Sequence, residues 1–230
     1  MPLIRRVLNG NSELEGYVNQ MNGIQSGTVR IGIFASVAVN WLPNIFARLQ
    51  RDYPEIEYEM LIGDYGEIKL WIAEGRVDCG FLSLPTSADF NTALIKRDEY
   101  KVIMPVGHPL AQNNTVKIEA LDGEPSLLLE HGGKTEVSAL LEKNRIHPKI
   151  RFTTWEDFAI MAMAEQNLGI GILPSMILKR LPYKIEIRPL ETPYYREIGI
   201  AVKDKGRLTP ATQKFTEYLK FREFSANNFL

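Results

Sequence analysis

The side chains best placed to do chemistry follow short apolar stretches at points where the chain turns into a helix. Ser36 comes two residues after the largely apolar stretch 29–34 and before an amphipathic segment that contains Leu42, Ile45 and Leu49. A hydroxyl at such a turn lies beside the backbone N–H groups of a helix start, which attract anions together with the helix dipole. Serine is also a frequent helix cap. The pattern therefore leaves two interpretations of Ser36 open, a helix cap and a ligand contact.

A glycine-rich turn precedes a second predicted helix. Residues 131–135 read His-Gly-Gly-Lys-Thr. Gly132 and Gly133 either form a plain tight turn or let a ligand approach the backbone closely. The run resembles a phosphate-binding loop only superficially, because the earlier glycine that such a loop requires is absent. We expect no nucleoside-triphosphate site here, and we take Gly132, Gly133 and Thr135 as weaker candidate contacts.

Signals of catalysis are weak in this sequence. The three histidines have no metal-ligand spacing and are scattered at His108, His131 and His147. Cys79 lies in an apolar run and is expected to be a buried structural thiol. Residues 155–157, Trp-Glu-Asp, predict a helix start rather than a general base, because acids are favourable there. We therefore expect no metal, no cofactor and no enzymatic activity.

Composition excludes several classes of protein. The chain has 230 residues, 45% of them hydrophobic, and a formal net charge of −1. The hydrophobic content is enough for a sizeable core. The near-zero net charge indicates no strongly basic face, so the chain alone is expected to bind nucleic acid poorly. A single cysteine permits no disulfide within the chain. Without an apolar signal segment or a transmembrane stretch, we expect a cytoplasmic protein.

The elements that position these side chains form two α/β units. Strands and helices alternate over residues 28–82 as βαβαβ, which requires a parallel sheet with right-handed crossovers. Further strands are predicted at 92–97 and 99–105, and the same alternation returns over residues 126–174. Residues 3–24 carry an a/d seam of about three heptads, which has to pack against the body or a partner helix.

Functional groups in such sheets lie beyond the carboxyl ends of the strands. Two units would present two such edges, and we expect a cleft between them. The predicted ligand contacts are Ser36, Val37, Tyr65, Ser83, Thr86, Gly132, Gly133, Thr135 and Trp155.

Several motifs, taken in order, resemble the effector-binding region of LysR-type transcriptional regulators. They are Ser-Gly-Thr-Val-Arg-Ile-Gly at 26–32, Ser36 followed by Leu42-Pro43, residues 46–54 ending in Tyr-Pro, Gly-Arg-Val-Asp-Cys-Gly-Phe at 75–81, Gly-His-Pro-Leu at 107–110, and Asn-Leu-Gly-Ile-Gly-Ile-Leu-Pro at 167–174. The resemblance implies an α/β fold of two Rossmann-like lobes, of the type-2 periplasmic-binding-protein kind. Lobe 1 would comprise residues 25–100 and 205–230, and lobe 2 residues 101–204.

The same resemblance implies a function. A small effector, often an anion, would bind between the lobes, and the serine after the first strand, here Ser36, commonly contacts it. Residues 1–24 resemble a linker helix that pairs subunits into a homodimer or homotetramer. The family's winged helix-turn-helix is absent from this sequence, so we expect a chain that senses an effector but contacts DNA only through a missing amino-terminal domain. The alternatives are a solute-binding receptor of the same fold and an enzyme on this scaffold.

Overall fold

The computed structural model describes Gly10, Leu14, Val18 and residues 26–130, 135–179 and 182–223. Of the predicted linker helix over residues 1–24, only Gly10, Leu14 and Val18 are described, and these three are helical. The remainder of that prediction lies outside the described residues. The chain divides into two compact units, which we call unit 1 and unit 2. Unit 1 runs up to Lys96 and resumes at Glu197, and unit 2 is Arg97–Arg196.

The elements alternate along the chain as an α/β protein requires. In order they are β1 (Gly27–Ile33), α1 (Ala35–Asn40), α2 (Leu42–Asp52), β2 (Ile56–Ile62), α3 (Tyr65–Glu74), β3 (Cys79–Leu84), β4 (Asn91–Pro105), β5 (Pro125–Leu129), α4 (Glu136–Lys143), β6 (Lys149–Thr154), α5 (Asp157–Glu165), β7 (Ile170–Pro174), β8 (Ile185–Pro189), β9 (Tyr195–Val202) and α6 (Pro210–Tyr218). Short 3₁₀ turns lie at Pro109–Gln112, Ile118–Leu121, Ile177–Lys179, Lys205–Arg207 and Leu219–Phe221. Within the described residues, no helix is long and apolar enough to cross a membrane.

Unit 1 contains the predicted βαβαβ sheet. Strand β1 pairs in parallel with β2 and with β3, and β3 pairs antiparallel with β9. The packing of α3 on β3 is close, because a Cβ added to Gly80 would lie 2.6 Å from the Ile68 side chain and 2.9 Å from that of Ile72. Cys79 is buried as predicted, and burial raises its pKa well above the usual value of a thiol. The thiol is therefore part of the core.

Unit 2 contains a second, mixed sheet. Strand β5 pairs in parallel with β6 and β7, and β4 pairs antiparallel with β7 and β8. Alternate residues of β4 enter two separate apolar clusters, Val102 and Met104 in one and Ile103 in the other. Because successive strand side chains point to opposite faces, apolar packing covers both faces of this sheet.

The structure differs from the sequence-based expectations in three places. The two strands predicted at 92–97 and 99–105 are one continuous strand, β4. The helix expected after Ser36 is two helices that meet at Trp41. In β2, the apolar side chains of Met60 and Ile62 are 51% and 63% exposed. Their period-2 pattern indicated a strand correctly, but burial depends on which elements cover it.

Candidate functional site

In unit 1 the carboxyl ends of β1, β2 and β3 meet at one edge of the sheet. The parallel register pairs Ile33 with Ile62, and the amide of Gly63 donates to the carbonyl oxygen of Ile33 at 3.0 Å. Four predicted contacts lie in the segments that follow the three strands, namely Ser36, Val37, Tyr65 and Thr86, and a fifth, Ser83, is the penultimate residue of β3. The topology therefore gathers these residues at one edge of the sheet, as the alternation of elements predicted.

Ser36 is the second residue of α1, and its side chain is 2% exposed. Phe34 occupies the cap position of α1, without a side-chain capping bond. The interpretation of Ser36 as the helix cap is therefore wrong, because the helix begins one residue before the serine. Val37 is fully buried, and its amide donates to the Phe34 carbonyl oxygen at 3.1 Å. Val37 thus belongs to the core of unit 1.

Tyr65 is held in place by the start of α3. Asp64 caps this helix in a reciprocal box, accepting from the Glu67 amide at 2.7 Å while Glu67 Oε2 accepts from the Asp64 amide at 3.0 Å. The Tyr65 ring packs edge-to-face on Phe34, with ring centres 5.1 Å apart. The segment after β1 and the segment after β2 therefore contact each other through two aromatic rings.

The third segment of this edge follows β3. Ser83 is half-buried and pairs with Ile198 of β9. The Leu84–Pro85 peptide is cis, and Thr86 follows it. Thr86 Oγ1 is buried and has no hydrogen-bond partner within the part of the chain that the structure describes. Because buried hydroxyls are nearly always hydrogen-bonded, Thr86 is the side chain of this edge that most clearly offers a bond to a ligand.

In unit 2 the predicted contacts lie beyond β5 and β6. Thr135 caps α4, with Oγ1 accepting from the Ser138 amide at 3.4 Å and donating to the Leu129 carbonyl oxygen at 3.3 Å. Ser138 Oγ in turn donates to Glu130 Oε1 at 3.1 Å. Gly132 and Gly133, like His131 and Lys134 beside them, lie outside the described residues. Thr135 therefore has a structural role, which does not prevent a ligand contact.

Trp155 directly follows β6, and its side chain is 64% exposed. The helix start predicted at 155–157 is confirmed, since α5 begins at Asp157. Asp157 Oδ1 is buried without a hydrogen-bond partner among the described residues. Burial raises the pKa of this carboxyl to about 6, while the positive charge of Arg196 acts in the opposite direction. An exposed indole therefore lies next to a carboxyl that titrates near neutral pH.

Sequence reasoning missed one buried polar network in unit 2. Asp98 is 1% exposed, and its Oδ2 accepts from Arg196 Nε at 3.0 Å and Nη2 at 2.8 Å. Its Oδ1 accepts from Ser175 Oγ at 2.8 Å and from the Met176 amide at 2.9 Å. The network thus joins β4 and β9 to the carboxyl end of β7. The only sign of this network in the sequence is one acid and one arginine in two distant strands. Charged residues in strands usually face solvent, so this sign does not predict a buried pair.

No metal centre is evident in the described ranges, which contain no group of three or more His, Cys, Asp or Glu able to hold an ion. His108 instead caps a 3₁₀ turn, its Nδ1 accepting from the Leu110 amide at 3.3 Å. The arrangement at both sheet edges is one of hydroxyls, aromatic rings and helix starts. Such groups bind and orient polar ligands.

Comparison with known proteins gives a consistent result. The family model described as "LysR substrate binding domain" matches residues 22–222. The chain is 30% identical over 222 residues to the probable HTH-type transcriptional regulator LrrA of Synechococcus elongatus, covering 96% of this chain and 75% of LrrA.

Solved structures show the same fold at lower identity. The LysR family regulator HinK of Pseudomonas aeruginosa matches with a TM-score of 0.76 at 22% identity, over 97% of this chain and 81% of HinK. The CcmR regulatory domain of Synechocystis PCC6803, solved in complex with 2-PG, matches with a TM-score of 0.76 at 21% identity, over 84% of this chain and 95% of that domain. These likenesses confirm the predicted α/β fold of the periplasmic-binding-protein kind.

Proposed function

The chain belongs to the LysR substrate-binding domain family, and from this we propose that it senses a small effector for a LysR-type transcriptional regulator. The observation that carries the proposal is the carboxyl edge of the unit 1 sheet. There Ser36 and Thr86 follow two neighbouring strands, Ser83 is the penultimate residue of β3, and Thr86 Oγ1 is buried without a partner among the described residues. A ligand that accepts or donates a hydrogen bond at this edge would give the Thr86 hydroxyl the partner that it lacks.

We propose Ser36, Tyr65, Ser83 and Thr86 as the effector contacts of unit 1. Val37 supports them from the core, because it anchors the first turn of α1. For unit 2 we propose Thr135 and Trp155, and we keep Gly132 and Gly133 as proposals from the sequence. An exposed indole suits an effector with an apolar portion.

The charges at the two edges bear on the charge of the effector. In unit 2, Glu130 follows β5, and Glu156 and Asp157 follow β6. In unit 1, the carboxylates of Asp64 and Glu67 already accept from each other's backbone amides. In unit 1, the hydroxyls lie beside the first turn of α1. We therefore propose a small anionic metabolite whose negative group is held by unit 1. The structure of the related CcmR domain with 2-PG supports a small ligand.

We further propose that the chain acts by binding and not by catalysis. The relatives are described as transcriptional regulators, and a regulator of this class would act in the cytoplasm. A solute-binding receptor would have the same fold, but the relatives that this chain matches are described as regulators and not as receptors. Incubation with each ligand that binds, followed by chromatography for products, separates a sensor from an enzyme.

The proposed site is tested by a thermal-shift screen of small organic acids that includes 2-PG, followed by calorimetry on the compounds that stabilise the chain. Binding raises the melting temperature by mass action. For such a compound, Ser36→Ala and Thr86→Val should each remove one hydrogen bond. We expect a loss of affinity of about 2- to 150-fold, depending on whether the group bound is charged.

Ser87→Ala is the matched control, because this exposed serine lies in the same loop as Thr86 but bonds to Asp89, with Oγ donating at 2.8 Å. The affinity of the Ser87→Ala variant for the effector should equal that of the parent chain. Unchanged affinity in both Ser36→Ala and Thr86→Val would remove the edge of unit 1 from the effector site, whatever the ligand.

A further inference from the structure

Two buried hydrogen-bond donors of unit 1 have no acceptor among the described residues. Trp41, between α1 and α2, is 0% exposed, and its indole Nε1 has no hydrogen-bond partner in the described residues. Arg222 Nε is also buried and has no partner there. The guanidinium carbon of Arg222 lies 5.9 Å from the centre of the Trp41 ring. Buried donors of this kind are rare in proteins unless something accepts from them.

The guanidinium of Arg222 is fixed in place by neutral acceptors. Its Nη1 donates to the Leu219 carbonyl oxygen at 3.2 Å, and its Nη2 donates to the Ile95 carbonyl oxygen at 3.1 Å. Asn44 Nδ2 donates to the Arg222 carbonyl oxygen at 3.1 Å, which holds the backbone as well. The direction of the remaining Nε–H is therefore set before any ligand binds.

The charge of the Arg222 guanidinium bears on the kind of acceptor that is missing. Among the described residues no carboxylate pairs with Arg222, and the neighbouring Glu223 pairs with Lys96. Arg48 and Lys220 lie 4.4 Å and 5.0 Å from the centre of the ring of Phe221, the residue before Arg222. Partly buried charges are ordinarily paired. The missing acceptor should therefore be an anion rather than a neutral group.

We propose that unit 1 holds a small anion, a halide or a carboxylate, between Arg222 Nε and Trp41 Nε1. The indole donor is fully enclosed, so the ligand is small. The only side-chain carboxylates outside the described residues are Glu13 and Glu15. A free anion and a carboxylate of the chain itself would make the same bonds, and the experiment separates them.

The test is a bromide titration of the ¹⁵N-labelled full chain at constant ionic strength, with gluconate as the larger balancing anion. The indole N–H signal of Trp41 is assigned by its loss in Trp41→Phe. We expect this signal to shift in a saturable manner, and we expect anomalous density for bromide between the two donors in a soaked crystal. Arg222→Gln should weaken bromide binding by about tenfold or more, as removal of a charged donor does.

Arg48→Gln is the matched control, because it removes an equal charge from a guanidinium that stacks on Phe221 close by. Its bromide affinity should change much less than that of Arg222→Gln, because Arg48 contributes no donor to the proposed site. If Arg222→Gln does not fold, Arg222→Lys keeps the charge but lacks Nε, and a weakening of about tenfold is again expected. The proposal is overturned by a non-saturable shift, by equal binding in the Arg222 variants, or by a crystal that places water or the carboxylate of Glu13 or Glu15 between the donors.

Discussion

At the scale of single residues, Asp98 and Arg196 show how a buried charge is accommodated in unit 2. Asp98 receives four hydrogen bonds, two of them from Arg196. A buried ion pair adds little net stability over an apolar pair, but the loss of one partner leaves the other charge buried and unpaired. Arg196 is 7% exposed, so solvent would not compensate for the loss.

We expect Asp98→Ala to lower the free energy of unfolding by about 3–5 kcal/mol, because Arg196 would remain buried without its carboxylate. Urea denaturation followed by circular dichroism measures the change. Glu217→Ala, which removes the exposed pair with Lys214, should change stability by less than about 1 kcal/mol. Similar losses in the two variants would contradict the structural role of Asp98.

The raised pKa of Asp157 predicts how stability depends on pH. The folded-state pKa of about 6 lies above the ordinary aspartate value of 3.8. The native chain therefore binds more protons than the unfolded chain between these values, and stability falls as the pH rises from about 4 to about 6. Asp157→Asn mimics the protonated form. We expect this variant to be more stable than the parent at pH 7, by about 1–3 kcal/mol, and equally stable near pH 4.

Urea unfolding of both proteins at pH values from 4 to 8 measures this difference. Glu156→Gln removes a negative charge that helps to raise the Asp157 pKa, so its fall in stability should be complete at a lower pH than that of the parent. A constant difference between Asp157→Asn and the parent at all pH values would show that this carboxyl does not titrate in the range.

At the scale of elements, the capping box of α3 connects a local sequence signal to the proposed site. Asp64 and Glu67 satisfy each other's backbone donors at the helix start, and Tyr65 is the first residue of this helix. At the other end, Gly75 adopts a left-handed conformation with φ of 68°, where a residue without Cβ is favoured. The helix is therefore specified at both ends by its own sequence.

We expect Asp64→Ala to lower stability by about 1 kcal/mol, because the Glu67 amide loses its acceptor. The same variant should weaken effector binding, since Tyr65 depends on this first turn for its position. Asp64→Asn retains an acceptor and should be nearly neutral in both thermal denaturation and calorimetry. Full effector affinity in a destabilised Asp64→Ala would show that Tyr65 does not contact the effector.

At the scale of the whole molecule, each unit has an edge strand. Among the described residues, β2 of unit 1 pairs only with β1, and β6 of unit 2 pairs only with β5. Apolar side chains are exposed on both, Met60 and Ile62 on β2 and Ile150 and Phe152 on β6. Open apolar edges of this kind favour association with another chain. From these edges and the heptad seam of residues 3–24, we propose that a second copy of the chain covers the exposed side chains.

We expect Ile62→Lys to raise the dissociation constant of the dimer by about tenfold or more, because a charge would be buried at the covered edge. Deletion of residues 1–24 should weaken the dimer without abolishing it. Val106→Lys changes a residue of comparable exposure outside both edges, and should have no effect. Sedimentation equilibrium measures all three, and a monomer at high concentration for the unaltered chain would contradict the proposal.

The sequence alone determined the class of fold and the edges that carry the candidate contacts. Alternation of apolar strands and helices forces parallel pairing, and parallel pairing places Ser36, Tyr65 and Thr86 beyond strand ends at one edge. Local signals also sufficed for the start of α5 at Asp157 and for the buried thiol of Cys79. These features depend on periodicity and on neighbours within a few residues.

Only the tertiary structure decided features that depend on distant neighbours. The ion pair of Asp98 and Arg196 joins positions 98 residues apart, and a charged residue in a strand does not reveal whether its partner will be solvent or protein. Ser36 lies inside α1 rather than at its cap because the chain begins the helix at Ala35, after Phe34. The unpartnered donors of Trp41 and Arg222 likewise become visible only when the packing around both side chains is known.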